Sequence, residues 1–169
     1  MVFKTRSAKP ADAQGILDIY APIVEQTAIS FETEVPDETT MGERIKSYSD
    51  SHAYLVSEDE DRILGYAYGS SFRPREAYRN SVEVTVYVHP QARGRGIAKN
   101  LYTALFSKLL EKQFHTALAG IALPNEASVA LHRVLGFKPV GIFRDVGFKL
   151  GQWHDVQWWQ KPLIENDRK

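Results

Sequence analysis

The sequence predicts a mixed α/β domain, one sheet with helices on its faces. Three features predict it. β-rich runs follow one another as a meander, the order then becomes strand, helix, strand, helix, strand, and the helical stretches carry apolar residues at intervals of three and four. The chain of 169 residues is read as a single domain over 1–169. No internal repeat, low-complexity segment or linker interrupts it.

The first helical stretch is 10–26, where Ile16, Leu17, Ile19, Tyr20 and Ile23 fall on one side, and Pro22 is expected to kink or split it. A second, more polar helix is expected over 38–48, opened by the turn formers Pro36 and Asp37. The runs 53–57 and 63–70 are rich in β-formers and are joined by the acidic turn 58–61, which reads as a hairpin. The run 82–88 alternates Val82, Val84, Val86 and Val88 with Glu83, Thr85 and Tyr87, and ends at Pro90. The stretch 96–112 carries Ile97, Leu101, Leu105 and Leu109 at helical spacing. A strand over 117–123 follows, then a helix over 125–135 stopped at Gly136. The remainder, 137–163, is strand-rich and aromatic.

Composition removes several function classes. Twenty-one basic residues balance twenty-one acidic ones, so no net field draws a polyanion to the surface, and nucleic acid is not an expected partner. Hydrophobic residues at 43% and charged ones at 25% argue against disorder and fibrous classes. No apolar stretch approaches the roughly 18 residues that a membrane helix needs. The first ten residues lack a signal-peptide core, so a soluble cytoplasmic protein is expected, with no membrane partner. The absence of cysteine excludes disulfides, thiolate metal sites and a cysteine-bound acyl intermediate.

The most informative stretch is Val86-Tyr87-Val88-His89-Pro90-Gln91-Ala92-Arg93-Gly94-Arg95-Gly96-Ile97-Ala98, in which a strand runs through a basic, glycine-bearing loop straight into a helix. A helix start offers unpaired N–H groups and the positive end of a dipole, which suits a pyrophosphate. Gly94 and Gly96 allow close backbone approach, and Arg93, Arg95 and Lys99 add positive charge. An ordinary surface turn with solvated arginines is the plain alternative. A phosphate-loop NTPase is disfavoured because no Lys-Ser or Lys-Thr pair follows the glycines, and a dinucleotide fold because a meander precedes the strand.

Here the chain resembles the GNAT superfamily of acetyltransferases, whose signature is arginine or glutamine, two residues, glycine, one residue, then glycine or alanine. Arg93, Gly96 and Ala98 match it in register. The helix from Asn125 to Leu135-Gly136-Phe137 looks like that superfamily's second cofactor-binding block. Four further blocks resemble the phosphinothricin and methionine sulfoximine acetyltransferases: 29–33, 82–88, 123–129 and 151–156. The resemblance implies a GNAT-like, mostly antiparallel twisted sheet with a splayed central strand pair and helices on both faces. It implies acetyl-CoA as co-substrate and a small amino-acid analogue as acceptor, and it links the chain to antibiotic or herbicide resistance. It also implies a homodimer.

Residue by residue, the resemblance assigns Val86, Tyr87 and Val88 to the pantetheine arm. Arg93, Gly94, Arg95, Gly96, Ile97, Ala98 and Lys99 go to the phosphates, and Asn125 to the other side of the arm. Asn125 could equally cap its helix, and backbone and side chain can fill both roles. Attack of an amine on a thioester needs loss of one proton and delivery of another. Glu83 alternates with apolar valines on the strand leading to the acetyl-binding segment, where a carboxylate can accept a proton directly or through water. A solvated or paired strand carboxylate is the other reading of it. His132 lies seven positions beyond Asn125 on the same helix face. Many superfamily members carry a tyrosine donor there. Donor, acceptor, orienting group and structural histidine all stay open for His132.

On the acceptor side, Arg73, Arg75, Tyr78 and Arg79 lie in a loop between strands, and arginine pairs bidentately with carboxylate or phosphinate. Phe31 and Glu32 are expected on the opposite wall by resemblance. His154 and Asp155 are neighbours on a strand and point to opposite faces, so no metal site is expected from them. Trp153, Trp158 and Trp159 are read as core plus a dimer surface. Direct transfer in a ternary complex is the simplest expectation. The competing functions are acetylation of a protein N-terminus or another amine, and a non-catalytic CoA-binding regulatory module.

Overall fold

A computed structural model describes residues 3–60 and 62–164. The chain runs β1 (Lys4–Ser7), α1 (Ala13–Gln26), α2 (Glu38–Ser51), β2 (Tyr54–Asp59), β3 (Arg62–Ser71), β4 (Ser81–Val88), α3 (Ile97–Glu111), β5 (Thr116–Ala122), α4 (Glu126–Val134), β6 (Lys138–Lys149) and β7 (Gln152–Pro162). Asp61, expected in the acidic turn between β2 and β3, lies outside the described residues. The strands form one seven-stranded sheet in the order β1-β2-β3-β4-β5-β7-β6. Only the β4–β5 pair is parallel.

Both faces of the sheet are covered. Ile16, Ile19 and Val24 of α1 and Ile45 of α2 pack with Tyr54, Val56 and Tyr66 on one face. Leu101, Leu105 and Leu109 of α3 pack with Leu55, Ala67, Val82 and Val84 on the other. These alternating strand positions are the period-two pattern of a strand buried on both sides. Each buried leucine of α3 contributes roughly 1.5–3 kcal/mol of transfer free energy.

α1 runs through Pro22 without being split there. The proline removes one backbone donor, and the buried stripe on both sides of it, Ile16 to Val24, keeps the helix whole against the sheet. α2 begins where Asp37 accepts a hydrogen bond from Thr40 N at 2.7 Å, and it extends three residues beyond the expected end. None of the helices among the described residues is long and apolar enough to cross a membrane.

The feature that positions everything else is a fork. β4 pairs with β3 along its whole length, from Val82 to Val88. With β5 it pairs only at Ser81↔Thr116, Val82↔Ala117 and Glu83↔Leu118. β5 then continues against β7 to Ala122.

α3 lies close against the sheet below the fork. A Cβ at Gly65 of β3 would stand 2.9 Å from the Tyr87 carbonyl and 3.2–3.3 Å from Ile97 and Leu101. Gly65→Ala is therefore expected to destabilise the chain by about 1–3 kcal/mol, read as a lower midpoint in urea unfolding with the slope unchanged.

Candidate active site

The fork opens into a cleft of about 1070 Å³. One wall is β4 from Glu83 to Val88, and the other is 119–122 of β5 with Asn125, Ser128 and His132 of α4. At one end stand Arg93, Gly94, Gly96, Ala98 and Lys99, and the lining also takes in Phe31, Glu32, Arg44, Tyr48, Tyr68 and Trp158.

The glycine end is built for an anion. Gly94 and Gly96 take φ of +76° and +78°, a conformation that favours glycine. A Cβ on either would meet nothing within 4 Å, so the backbone lies bare to the cleft. Asn100 N is the first amide to close on the helix, onto Gly96 O at 3.0 Å. The N–H groups of Ile97, Ala98 and Lys99 therefore point out of the helix start with its positive dipole end. This bare cradle fits a diphosphate. Arg95 turns away from it: its guanidinium lies 3.8 Å from Asp59 and does not line the cleft.

Glu83 is the last residue of β4 paired on both sides, so its side chain stands at the point of the fork. Among the described residues its carboxylate has no ion pair and no side-chain hydrogen bond, and burial pushes its pKa up from the ordinary value of 4.5.

His132 is 3% exposed. Its Nδ1 lies 2.7 Å from the Ser128 carbonyl, which can only accept, so Nδ1 carries the hydrogen in the neutral ring. The bare Nε2 then faces the Tyr102 hydroxyl at 3.3 Å, and Tyr102 donates. Burial lowers the His132 pKa, with the Ser128 contact opposing, so the ring is neutral near pH 7. Asn125 caps α4, its Oδ1 accepting from Ser128 N at 3.2 Å, and it also lines the cleft.

Across the cleft, the loop between α1 and α2 is tied down on several sides. Tyr20 Oη bonds Ser30 Oγ at 2.7 Å and donates to Glu32 at 2.5 Å. Arg44 of α2 donates to both Glu32 oxygens, at 3.0 and 2.6 Å. Buried Lys149 donates to Ser30 O at 2.6 Å. The Phe31 ring occupies the space above Gly147, where a Cβ would meet it.

The remaining expected acceptor residues lie elsewhere. Arg73, Arg75 and Tyr78 do not line the cleft. Arg73 sits 4.9 Å over the Phe72 ring, Tyr78 packs edge-on to Phe72, and Phe72 packs on Trp158. Arg79 pairs with Glu76 at 3.6 Å on the surface. His154 is buried, its Nε2 2.9 Å from Lys149 O, while Asp155 pairs with Arg144 at 2.6 Å. No group of three metal-ligating side chains occurs among the described residues. Of the tryptophans, Trp159 is core, Trp153 is exposed and Trp158 lines the cleft.

Comparison with known proteins decides the family, because the acetyltransferase (GNAT) domain description matches residues 5–158. The chain belongs to the GNAT acetyltransferases. It is 41% identical over 166 residues to a phosphinothricin N-acetyltransferase of Streptomyces coelicolor, covering 95% of this chain and 96% of that one. It is 37% identical to an L-methionine sulfoximine/L-methionine sulfone acetyltransferase of Pseudomonas aeruginosa, covering 94% and 93%. A phosphinothricin acetyltransferase from Sinorhizobium meliloti, solved with acetyl-CoA, superposes with a TM-score of 0.93 at 37% identity, over all of this chain and 92% of that one. The fold of this GNAT acetyltransferase is thus shared with that solved structure.

Sequence reasoning missed Tyr20, Arg44, Tyr48, Tyr68 and Tyr102. Tyr20 belongs to the apolar stripe of α1, and Tyr102 lies among the leucines of α3, so both read as core. Arg44 carries no local signal, since its partner Glu32 is twelve residues away.

Because burial raises the Glu83 pKa, the folded chain keeps that proton longer than the unfolded chain as pH rises. Stability is therefore lost through the interval just above the ordinary 4.5. Glu83→Gln removes that loss. In melts from about pH 4 to about pH 7.5, the variant is expected to match the wild type at the acid end and melt higher at the neutral end. A variant less stable than the wild type at the neutral end would contradict an unpaired, buried carboxylate.

Proposed function

We propose that this GNAT acetyltransferase uses acetyl-CoA to acetylate the α-amine of a small amino-acid analogue of the phosphinothricin, methionine sulfoximine or methionine sulfone type, by direct transfer in a ternary complex. The observation that carries the reading is the forked β4–β5 pair with the carboxylate of Glu83 at its point, lining the same cleft as the glycine cradle before α3. The relatives' named substrates support the acceptor class.

Bound acetyl-CoA supplies the thioester carbon that the amine attacks. In this reading the open edge of Val86, Tyr87 and Val88 holds the pantetheine arm, with Asn125 opposite. The amides of 97–99 hold the diphosphate, with Arg93 and Lys99 beside them. Glu83 takes a proton from the acceptor ammonium, which frees the nitrogen lone pair to form the C–N bond as the C–S bond breaks. Its raised pKa sets the acid limb of the rate profile above the ordinary carboxylate value.

The sulfur leaves as thiolate and needs a proton. His132 spends its Nδ1–H on Ser128, so in this reading it orients the Tyr102 hydroxyl, and the two act as one proton-handling unit at the cleft wall. Arg73, Arg75 and Tyr78 remain assigned to the acceptor as an outer set reached through Phe72 and Trp158. The apolar face of β6 and β7, with Val140, Phe143, Phe148 and Trp153 each more than half exposed, supports a homodimer. Dimerisation is expected in sedimentation at micromolar concentration. The reading places the enzyme in the cytoplasm.

The test is release of free CoA from acetyl-CoA across a panel of amino-acid analogues and peptides. Release is expected with the analogues and not with peptides. Release with peptides alone would instead support a protein N-terminus as acceptor, and CoA binding without any release a regulatory module. Glu83→Gln is expected to cut turnover at least about 100-fold while leaving the calorimetric Kd for acetyl-CoA within about threefold. Gly96→Val, which forces a branched side chain into φ +78° and into the cradle, should weaken that Kd by about tenfold or more.

A further inference from the structure

We propose that Lys149 is a positioning residue for the acceptor end of the cleft: its buried ammonium clasps the β6–β7 hairpin onto the loop between α1 and α2 and so fixes where the Phe31 wall stands. The inference rests on the acetyl transfer to a small amino-acid analogue proposed above. It concerns a residue outside the cleft lining that acts through residues within it. Arg73, Arg75 and Tyr78 keep the part proposed for them in binding the acceptor.

The hairpin reaches the loop as a short arm. The pairing of β6 with β7 slips between Phe143 and Gly147, where Asp145 takes φ of +46°, and resumes at Gly147↔His154, Phe148↔Trp153 and Lys149↔Gln152. Side chains alternate along a strand, so Gly147 and Lys149 share one face of this arm and Phe148 takes the other. Phe148 is exposed, whereas Lys149 is 6% exposed and its Nζ donates to Ser30 O at 2.6 Å. Two residues before it, Gly147 is the seat of the Phe31 ring, which a Cβ at 147 would overlap. His154, directly across from Gly147, tilts against the same ring with centroids 6.2 Å apart and donates from Nε2 to Lys149 O at 2.9 Å. Ser30, Phe31 and Glu32, the residues so held, line the cleft.

Stability alone does not account for an ammonium at this place. One of its hydrogens goes to the Ser30 carbonyl, and it makes no ion pair among the described residues. Burial lowers its pKa, with the Glu32 charge opposing, but that carboxylate is already held bidentately by Arg44. A buried charge without an anion beside it costs free energy that an apolar side chain of the same length does not. What the ammonium adds is a directional, charge-assisted bond between segments 119 residues apart. The ties from α1 and α2 reach the loop through the side chains of Ser30 and Glu32. Phe31, between them, has no polar group of its own, so its ring takes its place from the arm. Lys149 in turn holds the arm to the main chain of the neighbouring residue, and the two contacts together keep the ring from pivoting out of the wall.

The experiment is steady-state kinetics with L-methionine sulfone as acceptor in wild type, Lys149→Met and Lys149→Gln, beside the calorimetric Kd for acetyl-CoA and the melting temperature. Methionine keeps the length and loses the donor, whereas glutamine keeps a neutral donor. Lys149→Met is expected to raise the acceptor KM by about 10-fold, with the acetyl-CoA Kd within about twofold and the melting temperature within about 3 °C of wild type. Lys149→Gln should recover part of that KM. Gly147→Ala, which leaves the ammonium and displaces the Phe31 ring, should raise the acceptor KM in the same way and carries the test if Lys149→Met does not fold. An acceptor KM unchanged in Lys149→Met or in Gly147→Ala overturns the inference. So does a KM that rises only together with a weakened acetyl-CoA Kd and a lowered melting temperature, which is the pattern of a general loss of structure.

Amide hydrogen exchange over 28–33, measured without acceptor, separates the two levels. Faster exchange there in Lys149→Met, with no transfer to L-methionine sulfone by wild type, sinks the proposed reaction and leaves the clasp standing. Normal transfer, with exchange and acceptor KM both unchanged in Lys149→Met, sinks the clasp and leaves the reaction.

Discussion

Beyond Glu83 and Leu118 the backbones of β4 and β5 no longer meet, although the two strands are neighbours in the same sheet. A strand edge inside a protein leaves N–H and C=O groups that need partners, and burying them unsatisfied is costly. β4 keeps its shape because β3 pairs with it along its full length, and β5 keeps its own because β7 does. The two half-sheets are each complete, and the deficit is concentrated on the facing edges, where a ligand with amide groups of its own can act as the missing strand. Trp158 helps hold the opening. Its ring lies against Gly120, where a Cβ would stand 3.2 Å from it, so β5 carries no side chain at that point and the indole lines the cleft instead.

The fork also fixes where charge can sit. At its mouth, α3 starts with its free amides aimed outward, and the positive φ of Gly94 and Gly96 turns the chain sharply from β4 into the helix. On the far side, a run of tyrosines from α2 to α1 covers the sheet: Tyr48 stacks on Tyr68 at 5.2 Å, Tyr68 on Tyr54 at 5.0 Å, and Tyr66 and Tyr20 both tilt against Tyr87. Burial pushes the Tyr68 phenol up to about 12, so it stays neutral at any physiological pH. Tyr20 and Tyr68 therefore line the cleft as neutral phenols beside the Glu32–Arg44 ion pair.

Features that repeat at short range were legible in the sequence. The valine alternation of 82–88, the leucine spacing of α3 and the glycine turn between them are local patterns, and the strand and helix they predict are found to within a residue or two. Asn125 and His132 were legible for the same reason, lying on one helix face. The acceptor end was not. Its ties are Glu32 to Arg44 over twelve residues, Tyr102 to His132 over thirty and Lys149 to Ser30 over 119, and no periodicity encodes contacts of that kind. Where the loop arginines were expected to meet the acceptor, composition alone gave no direction for their side chains. Arg73 spends its guanidinium on Phe72 and Arg79 on Glu76. Pro22 shows the reverse case, a local signal that does not split the helix, whose buried stripe runs on both flanks.

Two glutamates line this one cleft with opposite electrostatic fates, and the contrast separates their roles. Glu32 receives a bidentate guanidinium and a phenol, and these hold its pKa below the ordinary value in spite of partial burial. Such a carboxylate is ionised at neutral pH and suits an anchor. Glu83 has no partner at all, and burial alone moves it the other way. A carboxylate raised by desolvation gains most when a cation arrives beside it, so in the reaction proposed above an ammonium entering the fork would lower its pKa and meet a base. The leaving-group side follows the same logic with the signs reversed. His132 is buried, burial lowers its pKa, its Nδ1 hydrogen is committed to Ser128, and its Nε2 faces Tyr102. In the proposed reaction, an acid at the fork and a neutral imidazole on α4 keep two proton tasks apart, which a direct Glu83–His132 ion pair would cancel.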